Sequence, residues 1–392
     1  MSEWPTLPLG QLIRIASGQV DPKTEPYSGM THVGPENILE GGGVLVPPLT
    51  SAKELELVSG KYEFDEDAIL YSKIRPNLNK VVMPRFRGIC SADIYPLWPR
   101  DDSIDTDFLY ELIRSPIVLR PAVAASGRTG LPKINRPDLE AIAVPVPPLS
   151  EQRCIARKLS TWGEMLERLS RQIEHKERLL ESIRERLIHG AHRLGDRNAP
   201  WPMVALSEVT RQLTGRNGDR YGRDLVMGVT KAEGIVPMRE HVVAENISRY
   251  LVLPPNGFAY NPMRINIGSI AMSEHEGDVI VSPDYVVFAC KEDRLHPRFL
   301  NHLRRTKAWA DFMTIAGNGS VRVRIYYASL AEFEFHLPPL DEQCAIVEVL
   351  DDAEREITAL EAERAALARQ RDALATELLT GRLRVPQAEA AS

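Results

Sequence analysis

Two loops in each half of this 392-residue chain gather arginine, lysine, asparagine and serine beside glycine or proline. In the first half one loop runs from Tyr71 through Ser72, Lys73, Arg75, Asn77 and Asn79 to Lys80. The other is Gly127-Arg128-Thr129-Gly130-Leu131-Pro132-Lys133, which adds Arg128, Thr129 and Lys133. In the second half Asn261, Arg264 and Asn266 follow Tyr260, and the stretch Gly317–Arg324 supplies Asn318, Ser320, Arg322 and Arg324. These side chains suit the edges of nucleobases. An arginine fork matches guanine O6 and N7, an asparagine amide matches adenine N6 and N7, and lysine or serine can fix phosphates. Glycine lets a backbone approach closely. The same groups also serve as ordinary solvated loop charges, so any one of them reads either way. Tyr71, Tyr260 and Tyr285 could touch the nucleic acid or fill a core at a strand end.

The residues of covalent or metal chemistry do not assemble into a pattern. There is no GxxxxGK[ST] phosphate loop, no HExxH among the nine histidines, and no N-P-P-[FY] methyltransferase motif; Asn261-Pro262-Met263 stops short of it. Asp101-Asp102 reads as a turn. The chain is therefore expected to hold no metal or nucleotide cofactor and to catalyse nothing by itself. Cys90, Cys154, Cys290 and Cys344 form no CxxC pair and are expected as small buried residues of a reducing cytosol.

The elements that must position these loops come twice. Pro147-Pro148-Leu149-Ser150-Glu151-Gln152 opens a long helical pattern that ends at Gly190. Pro338-Pro339-Leu340-Asp341-Glu342-Gln343 opens another that ends at Gly381. The apolar residues Ile155, Leu159, Trp162, Leu166, Leu169, Ile173, Leu180, Ile183 and Leu187 step by fours and threes, a heptad seam. Ile346, Leu350, Ala353, Ile357, Leu360, Leu367, Leu374 and Leu378 repeat the grid, interrupted by Arg364 and Arg371. Ser150 and Asp341 are the expected N-caps, and the two glycines the expected left-handed stops. One seam cannot bury itself, whereas two in one chain can bury each other, antiparallel.

The repetition extends to the rest. Trp4-Pro5 recurs as Trp201-Pro202, Tyr71 to Asn77 as Tyr260 to Asn266, and Ser91-Ala-Asp93 as Ser282-Pro-Asp284. Short β-branched runs suggest strands at Ile69–Tyr71, Val81–Met83, Ile142–Val146, Leu225–Val229, Phe258–Tyr260, Ser269–Met272, Val279–Val281, Tyr285–Ala289 and Glu332–Leu337. Short helices are expected at Asp107–Arg114 and Pro297–Ala310. The fold class is thus α+β and internally duplicated: two mixed α/β domains separated by two long antiparallel coiled-coil helices. The expected boundaries are 1–150, 151–193 for the first helix, 194–340, 341–385 for the second helix, and a tail 386–392. No apolar run of membrane-spanning length and no signal peptide is visible, so a cytoplasmic location is expected.

Net charge is −6, which taken alone argues against nucleic acid. The acidity is concentrated beyond residue 340, in the last helix and tail. Residues 196–340 carry 14 arginines against 3 lysines and are close to neutral. Arginine forks can read bases from a neutral domain whose acidic groups face elsewhere.

Two P-P-L-x-E-Q openings, each starting a heptad helix that ends near L-x-x-G, resemble the specificity subunit of type I restriction–modification systems, over essentially the whole chain. The resemblance implies that each globular part is a target recognition domain for one half of a bipartite, asymmetric DNA site. It implies that the helices set the gap between half-sites. Its implied partners are double-stranded DNA, two modification (methyltransferase) subunits and two restriction subunits. S-adenosylmethionine and ATP with magnesium would be bound by those subunits and none by this chain. The repeated Glu151, Gln152, Glu342 and Gln343 would mark docking regions for the modification subunit, although helix-dipole complementation accounts for both glutamates as well. A non-catalytic protein-interaction scaffold with a coiled-coil arm is the alternative, motivated by the net acidity.

Overall fold

The β-branched and aromatic runs become short strands bounded by glycine, proline and asparagine turns. The computed structural model describes residues 4–127, 132–195, 200–239, 242–316 and 324–385. The chain forms two units, Met1–Ser170 with Ala362–Ser392 and Arg171–Glu361. In order, the first stretch carries β1 (Thr6–Pro8), α1 (Leu9–Leu12), β2 (Ile13–Ile15), β3 (His32–Val33), β4 (Tyr62–Phe64), β5 (Ile69–Ser72), β6 (Val81–Val82), β7 (Gly88–Cys90), β8 (Ile94–Pro99), α2 (Thr106–Arg114), α3 (Pro116–Ala125), α4 (Arg136–Glu140), β9 (Ala143–Pro145) and the long α5 (Leu149–Ile188). There follow β10 (Met203–Ala205), α6 (Leu206–Val209), β11 (Thr210–Leu213), β12 (Val226–Thr230), β13 (Gly234–Pro237), β14 (Leu251–Leu253), β15 (Phe258–Tyr260), β16 (Ile270–Met272), β17 (Val279–Val281), β18 (Val286–Cys290), α7 (Pro297–Leu303), α8 (Lys307–Ala316), α9 (Tyr327–Leu330), β19 (Glu334–His336) and the long α10 (Leu340–Leu379).

The duplication seen in the sequence is a duplication of topology. In unit 1 an antiparallel sheet has the order β2-β8-β5-β6; in unit 2 the order is β11-β18-β15-β16. Tyr71 pairs with Tyr95 and Val81, and its counterpart Tyr260 with Val286 and Ile270. The second sheet is β3-β7-β4 in unit 1 and β13-β12-β17-β14 in unit 2, with one parallel pair in each, β3 with β7 and β12 with β17. A two-strand ribbon, β1 with β9 or β10 with β19, ties the start of each globular part to the segment that enters the next long helix.

Each unit takes one half of each long helix. In unit 1 the core of Ile69, Leu97, Phe108 and Leu112 continues into Ile155 and Leu159 of α5 and Leu378 and Leu379 of α10. In unit 2 Arg184 of α5 pairs with Glu354 of α10 at 2.8 Å, and Lys176 with Glu356 at 2.8 Å. Within each unit the early residues of one helix thus lie beside the late residues of the other, an antiparallel pair. On the seam Ile155, Leu159, Leu169, Ile173, Leu180, Leu187, Ile346, Leu350, Ile357 and Leu378 are buried, while Trp162, Leu166, Ile183, Ala353, Leu360, Leu367 and Leu374 are half-buried. The interruption at Arg371 is itself buried, and its guanidinium bonds the equally buried Glu111 of α2. A charge on the seam is tolerated there because a carboxylate meets it.

Three expectations change in detail. Both long helices begin ahead of their expected starts, at Leu149 and Leu340, because the carbonyls of Pro148 and Pro339 already accept from Gln152 N at 3.0 Å and Gln343 N at 2.9 Å. Ser150 and Asp341 therefore lie inside the first turn and are not N-caps. The helix expected at Pro297–Ala310 is two, α7 and α8, since Thr306 Oγ1 donates back to Leu303 O at 2.8 Å and ends the first; Ser115 does the same to Leu112 O at 2.7 Å between α2 and α3. Cys344 is exposed on α10, whereas Cys90, Cys154 and Cys290 are buried. Both helix stops are as expected, with Gly190 and Gly381 each at φ 71°.

Candidate nucleic-acid interface

The two expected loops of unit 1 meet. Arg75 N–H donates to Pro132 O at 2.7 Å, and Ile74 bridges Lys133. Arg75, Asn77 and Lys133 are exposed. Arg75 holds φ 46°, ψ 60°, a left-handed conformation unfavourable to a side-chain-bearing residue, ahead of the short turn Pro76–Leu78. Its guanidinium has no ion-pair or hydrogen-bond partner among the described residues. Lys73 is mostly buried, 3.9 Å from Asp93 and 5.1 Å from the Tyr95 ring; burial first and Lys133 second push its pKa down. Arg136, which has no place in the loop motifs, adds a cation 5.9 Å from the same ring.

Other residues of this set serve the fold. Tyr71 and Ser72 are buried on β5, and Ser72 Oγ donates to Ile74 O at 3.2 Å. Asn79 donates to Arg114 O at 2.8 Å and Lys80 to Pro35 O at 2.8 Å. Arg128 and Thr129 lie outside the described residues, as do Asn318, Ser320 and Arg322.

Unit 2 repeats the arrangement. Ile325 N–H donates to Pro262 O at 3.1 Å, which sets Arg324 beside the loop of Asn261, Arg264 and Asn266. Asn261 Oδ1 accepts from Met263 N at 2.9 Å and shapes the turn. Arg264, Asn266 and Arg324 are exposed, and Arg324 donates to the Tyr326 hydroxyl at 3.4 Å. A cleft of about 1270 Å³ opens beside this loop, with Lys231, Asn266, Ile267, Arg304 and Glu274 among its lining. Arg304 replaces the fully buried Ile113 of unit 1. Its Nε donates to Asn301 at 2.8 Å, and burial followed by the nearby Arg305 lowers its pKa to about 9.

The helix-base residues are engaged inside their own units. Gln152 is buried; its Oε1 accepts from Asp105 N at 2.9 Å, and its Nε2 donates to Ser103 O at 3.0 Å and Pro147 O at 2.9 Å. Gln343 makes the same three bonds, to His296 N at 2.7 Å, Arg294 O at 2.9 Å and Pro338 O at 2.8 Å. Glu342 accepts from Arg193, Leu194 N, Gly195 N and the Trp201 indole, and Glu151 pairs with Arg384 at 2.8 Å. The sequence signal for both roles was the repetition itself; Arg193, Arg384 and the tryptophans could have been found by aligning the halves at Gly190 and Gly381.

One group in unit 2 has metal-like spacing, His302, Asp351 and Glu354 within 4.8 Å of one another. Arg298 pairs with Asp351 at 3.0 Å, and Arg184 and Arg305 both pair with Glu354. Three guanidiniums already balance the two carboxylates, so the donor set suits an ion-pair network and does not suit a cation. Burial lowers the His302 pKa, against the Asp351 bond that raises it.

The loops, the paired helix halves and the twofold repetition of both define a known architecture. The description "Type I restriction modification DNA specificity domain" matches residues 1–176 and 252–369. The chain belongs to this specificity family. The EcoDI specificity subunit of Escherichia coli is 33% identical over 200 residues, 51% of this chain and 44% of that protein, so the match spans less than half of that relative's length. The MjaVIII specificity subunit of Methanocaldococcus jannaschii is 21% identical over 98% of this chain and 93% of its own. Among solved structures, the type I restriction–modification S subunit from M. genitalium is similar in fold, with a TM-score of 0.57 at 14% identity, covering 96% of each chain. Among the described residues no helix is long and apolar enough to cross a membrane.

Proposed function

We propose that this chain is the DNA-reading subunit of a type I restriction–modification complex. Each unit reads one half of a bipartite, asymmetric site, and the chain recruits two modification subunits and two restriction subunits. It is itself without catalysis; S-adenosylmethionine and ATP with magnesium belong to the partners. The observation that carries this reading is the recurrence of one loop cluster in both units, Arg75 and Asn77 in one and Arg264 and Asn266 in the other, exposed and free for base edges in a member of a DNA-specificity family. Because the loops have diverged, the half-sites should differ.

Methylome mapping of cells that co-express this chain with its neighbouring modification subunit tests the proposal. The expected result is a two-part motif of fixed gap that disappears without this chain. A background-level methylome from soluble, co-purifying subunits would count against it, and failure to co-purify would favour the interaction-scaffold reading. The helices' role has its own test. Inserting one heptad into both α5 and α10 lengthens each by about 10.5 Å, and the gap should grow by roughly three base pairs at 3.4 Å each. An unchanged gap would rule out the spacer.

A further inference from the structure

The two loop clusters differ in what covers their apolar residues. In unit 1 the backbone of Gly41–Gly43 lies along the loop, Gly41 N donating to Leu78 O at 2.9 Å and Gly43 N to Val81 O at 2.8 Å. Gly42 has φ 75°, and a Cβ there would stand 2.6 Å from Val81 O, so glycine is required for this approach. Beside it Leu78 is half-buried, as is Ile74 on the same loop.

Their counterparts in unit 2 are open. Met263 is 50% exposed and Ile267 61%. Tyr326, on the segment tied to Pro262, and Ile315, on the helix that packs against the Ile265–Ile267 turn, are exposed as well. Exposed apolar side chains concentrated in one loop cluster mark a binding surface. Its occupant is indicated by the charges beside it. Arg264 and Arg324 have no carboxylate partner among the described residues. Unpaired cations around an apolar centre fit duplex DNA, whose phosphates meet the cations and whose thymine 5-methyl is the apolar group displayed in the major groove.

We propose that Met263 and Ile267 contact thymine methyl groups in the half-site read by unit 2, so that this unit selects thymine by apolar contact while unit 1 reads with polar groups. The inference rests on the DNA-recognition reading above. The intact complex of this chain with its modification subunits is titrated with its mapped site, each thymine replaced in turn by uracil, which removes only the methyl. The expected result is about fourfold weaker binding for each contacted thymine, the fold-change that ~0.8 kcal/mol per buried methyl gives, confined to one half-site. Ile267→Ala or Met263→Ala should abolish that sensitivity and leave the other half-site bound as before. Uracil neutral at every position, or losses that persist in both variants, would overturn the inference while the DNA-recognition reading stands. Variants that keep the thymine preference but lose the modification subunit would make the patch a protein interface and overturn it equally. A wild-type complex with no site-specific binding would remove the underlying reading, and the inference with it.

Discussion

Glu342 and Glu151 occupy equivalent places at the bases of the two long helices, and their surroundings differ. The Glu342 side chain is 2% exposed and accepts from Arg193 Nε and Nη2, both at 2.8 Å, from the backbone of Leu194 and Gly195 at 3.1 and 2.9 Å, and from the Trp201 indole at 3.0 Å. The Glu151 side chain is 15% exposed, and Arg384 is its bonded partner. Each arginine also covers a tryptophan, Arg193 at 4.6 Å from the Trp201 ring and Arg384 at 4.9 Å from that of Trp4. Trp4 Nε1, however, is buried with no hydrogen-bond partner among the described residues. The two backbone donors in unit 2 exist because the chain runs from α5 directly over the carboxylate. Gly195 lets the backbone come close, since a Cβ there would stand 3.0 Å from Glu342 Cδ, a tight contact that the carboxylate would have to accommodate. Its counterpart by position is Pro386, which has no N–H to offer. Among the described residues the duplicated motif therefore keeps its charge pair in both copies and the added backbone and indole donors in one.

Removal of the carboxylates should expose this asymmetry most strongly. Glu342→Ala removes the buried acceptor that Arg193, two backbone amides and the Trp201 indole share, and should cost about 3–5 kcal/mol. Glu151→Ala breaks a pair whose arginine is 43% exposed and should cost about 1 kcal/mol or less. Urea unfolding with amide exchange resolved by unit measures both, and equal losses would mean that the two bases are equivalent after all.

Acid should act through the same residue. The Arg193 hydrogen bonds above all, with the Gly195 amide and the Trp201 indole, hold the Glu342 pKa at about 2 against an ordinary 4.5. A depressed carboxylate pKa means that the unfolded chain takes up its proton first. The stabilisation is complete above pH 4.5 and is lost as pH falls toward 2. Its size is about 3 kcal/mol from the linkage relation. Unfolding free energy followed over that window should fall more steeply in the wild type than in Glu342→Gln, and parallel curves would assign the acid sensitivity elsewhere.

How much of this the sequence displayed depends on the reach of each interaction. The long helices, their glycine stops and the duplication were legible because heptad spacing and repetition are local or periodic signals. The partner of Glu111 was not, since Arg371 stands 260 residues away and no pattern announces it, and Arg384, 233 residues from Glu151, is marked only by its place in the repeat, three residues after Gly381. Burial on β5 was equally hidden. Its four residues are all buried because the strand lies between β6 and β8 with both faces covered, so Tyr71 and Ser72 look like loop-edge polar groups in sequence and sit in the core. Arg75, Asn77, Arg264 and Asn266 were recognisable by type; that each set meets a second loop, through Pro132 or Ile325, is a tertiary fact.

The glutamines next to these glutamates sharpen the comparison from the other side. Gln152 and Gln343 bind the same three kinds of backbone group in the two units. Gln152→Ala and Gln343→Ala should therefore cost the same, about 1–3 kcal/mol each for the buried groups left unpaired. A marked difference between them, measured by thermal unfolding, would extend the asymmetry of the carboxylates to the whole helix base.

The smallest effect tests the orphaned indole directly. Phenylalanine keeps most of a tryptophan's apolar surface and carries no N–H. In unit 2 Trp201→Phe deletes a bond to the Glu342 carboxylate and should cost about 1–2 kcal/mol beyond the lost ring area. In unit 1 Trp4→Phe deletes a buried donor that bonds nothing among the described residues, and the relief of that unmet desolvation offsets the lost area. The expected ordering is a destabilised Trp201→Phe and a Trp4→Phe within about 0.5 kcal/mol of wild type, the range of substitutions that break no named interaction. If Trp4→Phe costs as much as Trp201→Phe in the same denaturation assay, the Trp4 indole has a partner and the two bases are alike in that donor.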